Sequence, residues 1–168
     1  MARSDSFFIR ADVTETVTDT MKQIPIDLGA YVDALGKSVL RIHNIAVSFT
    51  DPNGRSPDGS ATKAAAAQFQ LTTQSQGDIV LPSNRSVVSS GMVNSYFPYA
   101  GVASISSESF DNLPQLWTNG YLIAVDQLFL AVSASAGFSD NVTCSITMEC
   151  TVETMTQAAA MALALSQQ

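Results

Sequence analysis

The sequence predicts an all-β fold, an antiparallel sandwich or barrel of about eight strands. Residues 141–154 alternate strictly between apolar and polar side chains, which is typical of a strand with one face on a core and the other in water. Residues 121–132 are almost continuously apolar, as in a strand covered on both faces, and we expect these two strands to be neighbours in one sheet. At 168 residues, a single domain spanning 1–168 is expected.

The first part of the chain predicts three further strands. Residues 7–18 alternate, and Glu15 interrupts the inner set, so the strand is expected to bend or reach an edge there. Residues 24–28 alternate again, and Pro25 favours an edge position because proline cannot donate to a ladder. Ser38–Thr50 is the next long strand. Its predicted faces carry Leu40 and Ile42 on one side and Val39, Ile45, Val47 and Phe49 on the other.

The middle of the chain alternates between turns and short strands. Residues 51–59 read DPNGRSPDG, a density of turn formers that predicts an exposed loop. The alanine run at 63–67 favours a helical turn on propensity. Short strands are predicted at 68–73, 78–81 and 86–93.

Two uncharged segments carry large apolar side chains. Residues 86–107 hold no charge, so this stretch is expected to cover a surface. Residues 155–168 form a tail, of which 157–165 predicts a short helix capped by Thr154 or Thr156. Because this helix is apolar nearly all round, its own domain or a neighbour must bury it. The predicted subunit-contact residues are Met92, Tyr96, Phe97, Tyr99, Met161, Leu163 and Leu165.

Charge is scarce and unevenly distributed. Charged residues make up 14% of the chain, against about 25% in ordinary soluble domains, and the formal net charge is −7. All 8 Lys and Arg lie between Arg3 and Arg85, without a cluster that could neutralise a run of phosphates, so nucleic-acid binding is not expected. A surface with so little charge is typical of one hidden in an assembly. A compact monomer with a Ser- and Thr-rich surface is the alternative.

The chain shows no recognisable signal peptide or membrane span. The short apolar run at 7–9 is followed at once by Arg10 and Asp12, unlike a secretory leader. The longest apolar stretch, 158–165, is too short to cross a bilayer. Synthesis and folding in a cytoplasm are therefore expected.

Residues for catalysis or metal binding are sparse, so neither an enzymatic activity nor a cofactor is expected. The single histidine, His43, lies within a strand and fits a structural or surface role better than that of a base. Cys144 and Cys150 lie on one strand face, roughly 20 Å apart, too far for a disulfide. Glu149 and Glu153, roughly 13 Å apart, are expected on the solvated face. The remaining oxygen-ligand group, a Ca²⁺ candidate without the EF-hand order, is Asp51, Asn53 and Asp58.

The strand pattern resembles the single jelly-roll capsid proteins of small tailless icosahedral viruses, including those of archaea and bacteria. The strands at 38–50, 121–132 and 141–154 carry the resemblance, together with terminal segments 1–6 and 155–168 that would act as arms. It implies a jelly-roll sandwich and a major or minor capsid subunit that assembles with copies of itself, and with other capsid proteins, into a virion in the host cytoplasm. RNA-packaging members carry basic arms, which this chain lacks, so direct genome contact is not implied.

Two other functions fit the same residues. A β-sandwich carbohydrate-binding module would stack sugars on Tyr96, Tyr99 and Trp117, although these aromatic side chains also fit a core or a subunit contact. A subunit of a non-viral tube or filament would share the low charge and the apolar segments. The shape of any assembled particle distinguishes these functions.

Overall fold

In the computed structural model, the described residues are 3–16, 20–33, 37–99, 105–109 and 117–168. Within them the chain forms nine strands and one helix. These are β1 (Phe7–Glu15), β2 (Lys22–Asp27), β3 (Ser38–Thr50), β4 (Lys63–Thr72), β5 (Val87–Phe97), β6 (Ile105–Ser109), β7 (Tyr121–Ile123), β8 (Gln127–Ala134), β9 (Val142–Thr154) and α1 (Gln157–Ser166). The predicted continuation of β1 to residue 18 and part of the segment 86–107 lie outside the described residues.

The strands form two antiparallel sheets that pack as a sandwich. One sheet has four strands in the order β1-β9-β3-β7, and the other has five in the order β2-β8-β4-β5-β6. Strand β1 pairs with β9, β2 with β8, β3 with β7 and β4 with β5. The chain is therefore folded like one long hairpin that is rolled across both sheets, which is the arrangement of a jelly roll. The predicted all-β, jelly-roll sandwich with a C-terminal helix is confirmed.

Strand β9 lies inside the four-stranded sheet, between β1 and β3. Its predicted alternation is confirmed from Cys144 to Cys150, where the apolar side chains face the space between the sheets and the intervening ones are partly exposed, whereas Thr143, Thr151 and Glu153 are buried. The buried apolar residues of β9 are Val142, Cys144, Ile146, Met148 and Cys150.

The predicted faces of β3 are wrong, because the strand contains a β-bulge. Its register with β9 shifts between Ile42 and Asn44, which leaves His43 as the extra residue. A bulge turns the side chains that follow it to the other face of the sheet. The bulge therefore brings Ile45 and Phe49 onto the inner face of Leu40 and Ile42, and Val39 lies on the outer face, apart from the main core. The residues of β3 in the main core are Leu40, Ile42, Ile45 and Phe49.

The apolar run at 121–132 is two strands rather than one. Strand β7 ends at Ile123, and the chain crosses to the other sheet before β8 begins at Gln127. Strands β8 and β9 therefore lie in different sheets, contrary to the prediction that they are neighbours in one. Both ends of the run are apolar because each enters the same core from a different sheet.

Two short predictions in the middle of the chain are also wrong. The alanine run at 63–67 belongs to β4, where cross-strand pairing with β5 overrides the helix propensity of alanine. Residues 78–81 form no strand; instead the Gln70 side chain accepts from the Val80 N–H at 3.0 Å and donates to the Val80 carbonyl. These two hydrogen bonds hold residues 78–81 across the outer face of β4.

Helix α1 follows β9 and packs on the outer face of the four-stranded sheet. Thr156 is its N-cap, as predicted, and its hydroxyl accepts from the Ala159 N–H at 3.3 Å. No helix of the described residues is long and apolar enough to span a membrane. The contact between helix and sheet is a cluster of Val39, Ala124, Ala160 and Ala164.

Candidate interaction surfaces

The outer face of β5 presents large side chains to solvent. Because strand side chains alternate, Met92 and Tyr96 point outward while Val93 and Phe97 point into the core. Met92 is 40% exposed and Tyr96 is 49% exposed. Tyr99, just beyond the strand, is 74% exposed. Three of the predicted contact residues therefore lie at the surface.

Small residues of the neighbouring strand keep this face shallow. Ala64 and Ala66 of β4 are exposed and pair with Tyr96 and Asn94 of β5. A depression of about 430 Å³ lies over them. A second depression, of about 170 Å³, joins Ala66 to Met92.

The apolar face continues past Met92 to the segment that Gln70 holds. Leu81 is 75% exposed and lines a depression of about 280 Å³ together with Met92. The three depressions adjoin one another, so the apolar residues that line them form one continuous uncharged face. We call the set formed by Ala64, Ala66, Leu81, Met92 and Tyr96 the β5 patch.

Helix α1 supplies a second exposed apolar surface. Its alanines face the sheet, whereas Met161 is 42% exposed and Leu165 is 68% exposed. Leu163 is half-buried against the helix–sheet cluster. We call Met161 and Leu165 the α1 ridge.

Phe97 differs from the other predicted contact residues. It is fully buried, and its ring packs edge-to-face on Phe138 with the ring centroids 6.1 Å apart. Its position in β5 is an inward one, so the ring contacts the core of its own domain. Phe97 is therefore not part of either exposed surface.

The candidate Ca²⁺ group lies in the exposed loop after β3. The Asp51 carboxylate accepts from the backbone N–H groups of Asn53 and Arg55, each at 2.8 Å. Both hydrogen bonds lower the pKa of Asp51, and the bond from Arg55 has the larger effect. The carboxylate thus organises its own loop, and Asp58 contributes a backbone carbonyl to Ser139.

A polar cleft lies on the outer face of the four-stranded sheet, where the prediction placed only solvated carboxylates. Glu153 is 5% exposed rather than solvated. Its carboxylate accepts two hydrogen bonds from Arg41, at 2.6 and 2.8 Å, in the bidentate geometry that arginine favours. Arg41 also donates to the Asn119 carbonyl. The hydrogen bond to Glu153 raises the pKa of Arg41, and that same bond lowers the pKa of Glu153.

His43 and Arg3 complete the cleft. Arg3 lies 2.6 Å from Nε2 of His43, and Thr151 Oγ1 lies 2.9 Å from the same nitrogen. Trp117, which is half-buried and packs on Tyr121 with ring centroids 4.8 Å apart, lines the cleft as well. The cleft measures about 500 Å³. The available sequence signal was the pair Arg41 and His43, the ionisable side chains of β3, spaced two residues apart on one strand face.

Cys144 and Cys150 are free thiols buried in the core. Burial raises the pKa of each thiol to about 12. They behave as small apolar side chains, as predicted.

Solved structures of viral proteins are similar to this chain at low sequence identity. VP1 of Trichodysplasia spinulosa-associated polyomavirus, solved with sialylated glycooligomers, is 9% identical with a TM-score of 0.45, covering 87% of this chain and 95% of that one. The unassembled VP1 pentamer of Merkel cell polyomavirus is 6% identical with a TM-score of 0.41, covering 87% and 95%. Desmodium yellow mottle tymovirus is 10% identical with a TM-score of 0.37, covering 90% and 89%.

These neighbours are viral capsid proteins of the jelly-roll type, but not of the archaeal or bacterial tailless viruses that the sequence pattern resembles. No family model and no curated protein matches the chain. The fold assignment rests on the strand order within its own two sheets.

Proposed function

We propose that the chain is a structural subunit that assembles with copies of itself into a viral capsid shell, as its major or a minor component. The observation that carries the proposal is the β5 patch, an uncharged apolar face exposed on the five-stranded sheet. Contiguous exposed apolar surface of this kind marks interaction sites in soluble proteins. Burying a large apolar side chain contributes about 1.5–3 kcal/mol, so Leu81, Met92 and Tyr96 together would supply a substantial driving force.

The presence of two exposed apolar surfaces, the β5 patch and the α1 ridge, favours a closed shell over a simple dimer. A single self-complementary patch is satisfied once two subunits meet, whereas growth into rings or shells needs two different contact surfaces on each subunit. The β5 patch lies on the five-stranded sheet, and the α1 ridge lies beyond the outer face of the four-stranded sheet. The two surfaces therefore lie on different sheets of the sandwich, as growth in more than one direction requires.

A jelly roll hosts many functions, so the strand order by itself limits the fold and not the role. A tailless icosahedral virus of archaea or bacteria is proposed from the resemblance of the strand pattern. Location in the virion and contacts with other capsid proteins belong to the same proposal, and tight nucleic-acid binding does not, because the chain beyond Arg85 has no Lys or Arg.

The test replaces one aromatic side chain of the β5 patch by a charge. Tyr96→Lys places an ammonium group within the patch, and we expect the variant to remain folded but to stay monomeric. Phe8→Lys is the matched control, because Phe8 is 56% exposed on the other sheet and outside both surfaces. Light scattering after size exclusion and negative-stain microscopy measure the outcome.

Wild type and Phe8→Lys are expected to form particles of one size. A wild-type protein that stays monomeric at high concentration across salt and pH would overturn the proposal, as would full assembly of Tyr96→Lys. Open tubes or fibres in place of shells would favour the non-viral filament subunit.

The carbohydrate-binding alternative gains less from the structure. Its three aromatic residues were Tyr96, Tyr99 and Trp117. Tyr96 points outward from the five-stranded sheet, whereas Trp117 lines the cleft on the four-stranded sheet. These two rings thus do not form one sugar-stacking platform.

A further inference from the structure

The segment around Arg3 is bound along the end of β9. The Ser4 N–H donates to the Val152 carbonyl at 3.0 Å, and the Val152 N–H donates to the Ser4 hydroxyl at 2.9 Å. The backbone of Arg3 forms an isolated antiparallel β-bridge with the backbone of Glu153. The side chain of Arg3 then reaches His43, which is the extra residue of the β3 bulge.

The contact between Arg3 and His43 requires a neutral imidazole. A guanidinium group has only donors, so the ring nitrogen that it contacts must accept. Nη2 of Arg3 lies 2.6 Å from Nε2 of His43 and 3.4 Å from Nδ1, so Nε2 is assigned as the acceptor and Nδ1 as the protonated nitrogen. The distance of 2.6 Å between Nη2 of Arg3 and Nε2 of His43 leaves room for only one hydrogen between these two atoms, and Arg3 supplies it. In the neutral ring the Thr151 hydroxyl shares the single Nε2 lone pair with Arg3 as a second donor, and it can turn to accept once Nε2 carries a proton.

Protonation of His43 removes the acceptor and places two cations in contact. The new Nε2–H can still donate to Thr151, which lies 2.9 Å away, but it repels the guanidinium of Arg3. The other charged groups around the ring are Arg41, Glu149 and Glu153. Glu149 and Glu153 favour the imidazolium, and Arg41 opposes it.

Arg3 is the group that can move. The Arg41 side chain is 16% exposed and is fixed by its two bonds to Glu153 and one to Asn119. The Arg3 side chain is 53% exposed and lies 3.8 Å from the Glu153 carboxylate. Its segment is held by few backbone bonds.

We propose that His43 is a pH-sensitive latch: the neutral ring holds the Arg3 segment on β9, and the protonated ring releases it. The proposal is independent of the capsid function. It would give the chain one surface at neutral pH, with the cleft partly filled by Arg3, and another surface at acid pH, with the cleft open.

The pH window follows from the direction of the pKa change. Burial, and then the charge of Arg3, lower the pKa of His43 below its ordinary value of 6.5. A group with a lowered pKa in the docked state takes up protons more readily once released. Docking is therefore complete above pH 6.5 and weakens as the pH falls from 6.5 towards the pKa of the docked state.

The chain offers unambiguous probes, since it has 1 His and 1 Trp. Proton NMR of the imidazole gives the pKa of His43, and hydrogen exchange of the Ser4 and Val152 amides, corrected for intrinsic rate, gives the protection of the segment. Fluorescence of Trp117 reports on the cleft. Arg3→Gln should raise the pKa of His43, whereas Arg10→Gln, a control on β1, should leave it unchanged.

The two measurements must agree. Each pKa unit between wild type and Arg3→Gln predicts about a tenfold loss of Ser4 protection on going from neutral to acid pH. His43→Gln, with a neutral acceptor at every pH, should keep Ser4 protected in acid. An unchanged His43 pKa in Arg3→Gln, or Ser4 protection in the wild type that does not fall in acid, would overturn the latch.

Discussion

Replacing Gln167 by alanine tests how firmly α1 is held to its own sheet. Gln167 follows the helix and is 3% exposed. Its side-chain carbonyl accepts from the Ala124 N–H at 3.0 Å, and its amide donates to the Leu122 carbonyl at 2.7 Å. Its backbone carbonyl accepts from the Thr73 hydroxyl at 2.6 Å. One side chain thus joins the helix end to the backbone of β7 and the residue after it.

The magnitude follows from the two backbone groups that the alanine variant leaves without a partner. A buried polar group that loses its hydrogen bond costs about 1–3 kcal/mol. Partial entry of water into the gap reduces this, so we expect Gln167→Ala to lower the free energy of unfolding by about 2–4 kcal/mol. Gln167→Glu keeps the acceptor for Ala124 but places a buried carboxylate against the Leu122 carbonyl, and at neutral pH should destabilise at least as much as the alanine variant.

Equilibrium unfolding in urea measures the effect as a shift in midpoint at constant slope. Gln168→Ala is the matched control, because the adjacent Gln168 is exposed, and it should change stability by less than about 0.5 kcal/mol. If Gln167→Ala is as stable as this control, the hydrogen bonds do not hold the helix and α1 is free to leave the sheet.

Two further predictions concern the buried ionisable groups. The hydrogen bond from Arg41 lowers the pKa of Glu153 below its ordinary value of 4.5. The stability that this pair contributes is therefore present above pH 4.5 and is lost as the pH falls through the lower pKa of the folded state. Glu153→Gln should flatten the acid limb of the plot of unfolding free energy against pH, measured in urea, and parallel plots for variant and wild type would contradict this. Cys144 and Cys150, with thiol pKa values raised to about 12 by burial, should resist alkylation in the native protein and react in denaturant; rapid native labelling, or a mass showing a disulfide between them, would refute it.

Local patterns predicted the strands whose environment is the same along their whole length. Strand β9 alternates because its inner face is buried from Val142 to Cys150, and the sequence shows that directly. The run at 121–132 shows only that each residue is near a core, and a core between two sheets looks the same from either side. Asp126, where the chain crosses between sheets, accepts from the Leu28 N–H through its backbone carbonyl, a contact that no local pattern indicates.

The polar cleft could not be predicted because it depends on register. Arg41 meets Glu153 only when β3 and β9 are aligned, and the register of that alignment shifts at the bulge beside His43. A one-residue change of register would turn each of these side chains to the other face. The exposed β5 patch was partly predictable, since Met92 and Tyr96 share an outward parity in a strand with no charge.

Helix α1 gives the assembly proposal an argument that does not depend on resemblance. Its sequence is apolar nearly all round, and its fully buried residues are the small Ala160 and Ala164, with Leu163 half-buried beside them. The larger Met161 and Leu165 face solvent. A helix that served its own domain alone would gain by the reverse arrangement, because burying a leucine contributes about 1.5–3 kcal/mol and an alanine much less. Small residues inward let the helix lie close to the sheet, and large residues outward leave apolar area for a second subunit, which is the division expected when a helix has both a sheet and a neighbour to pack against.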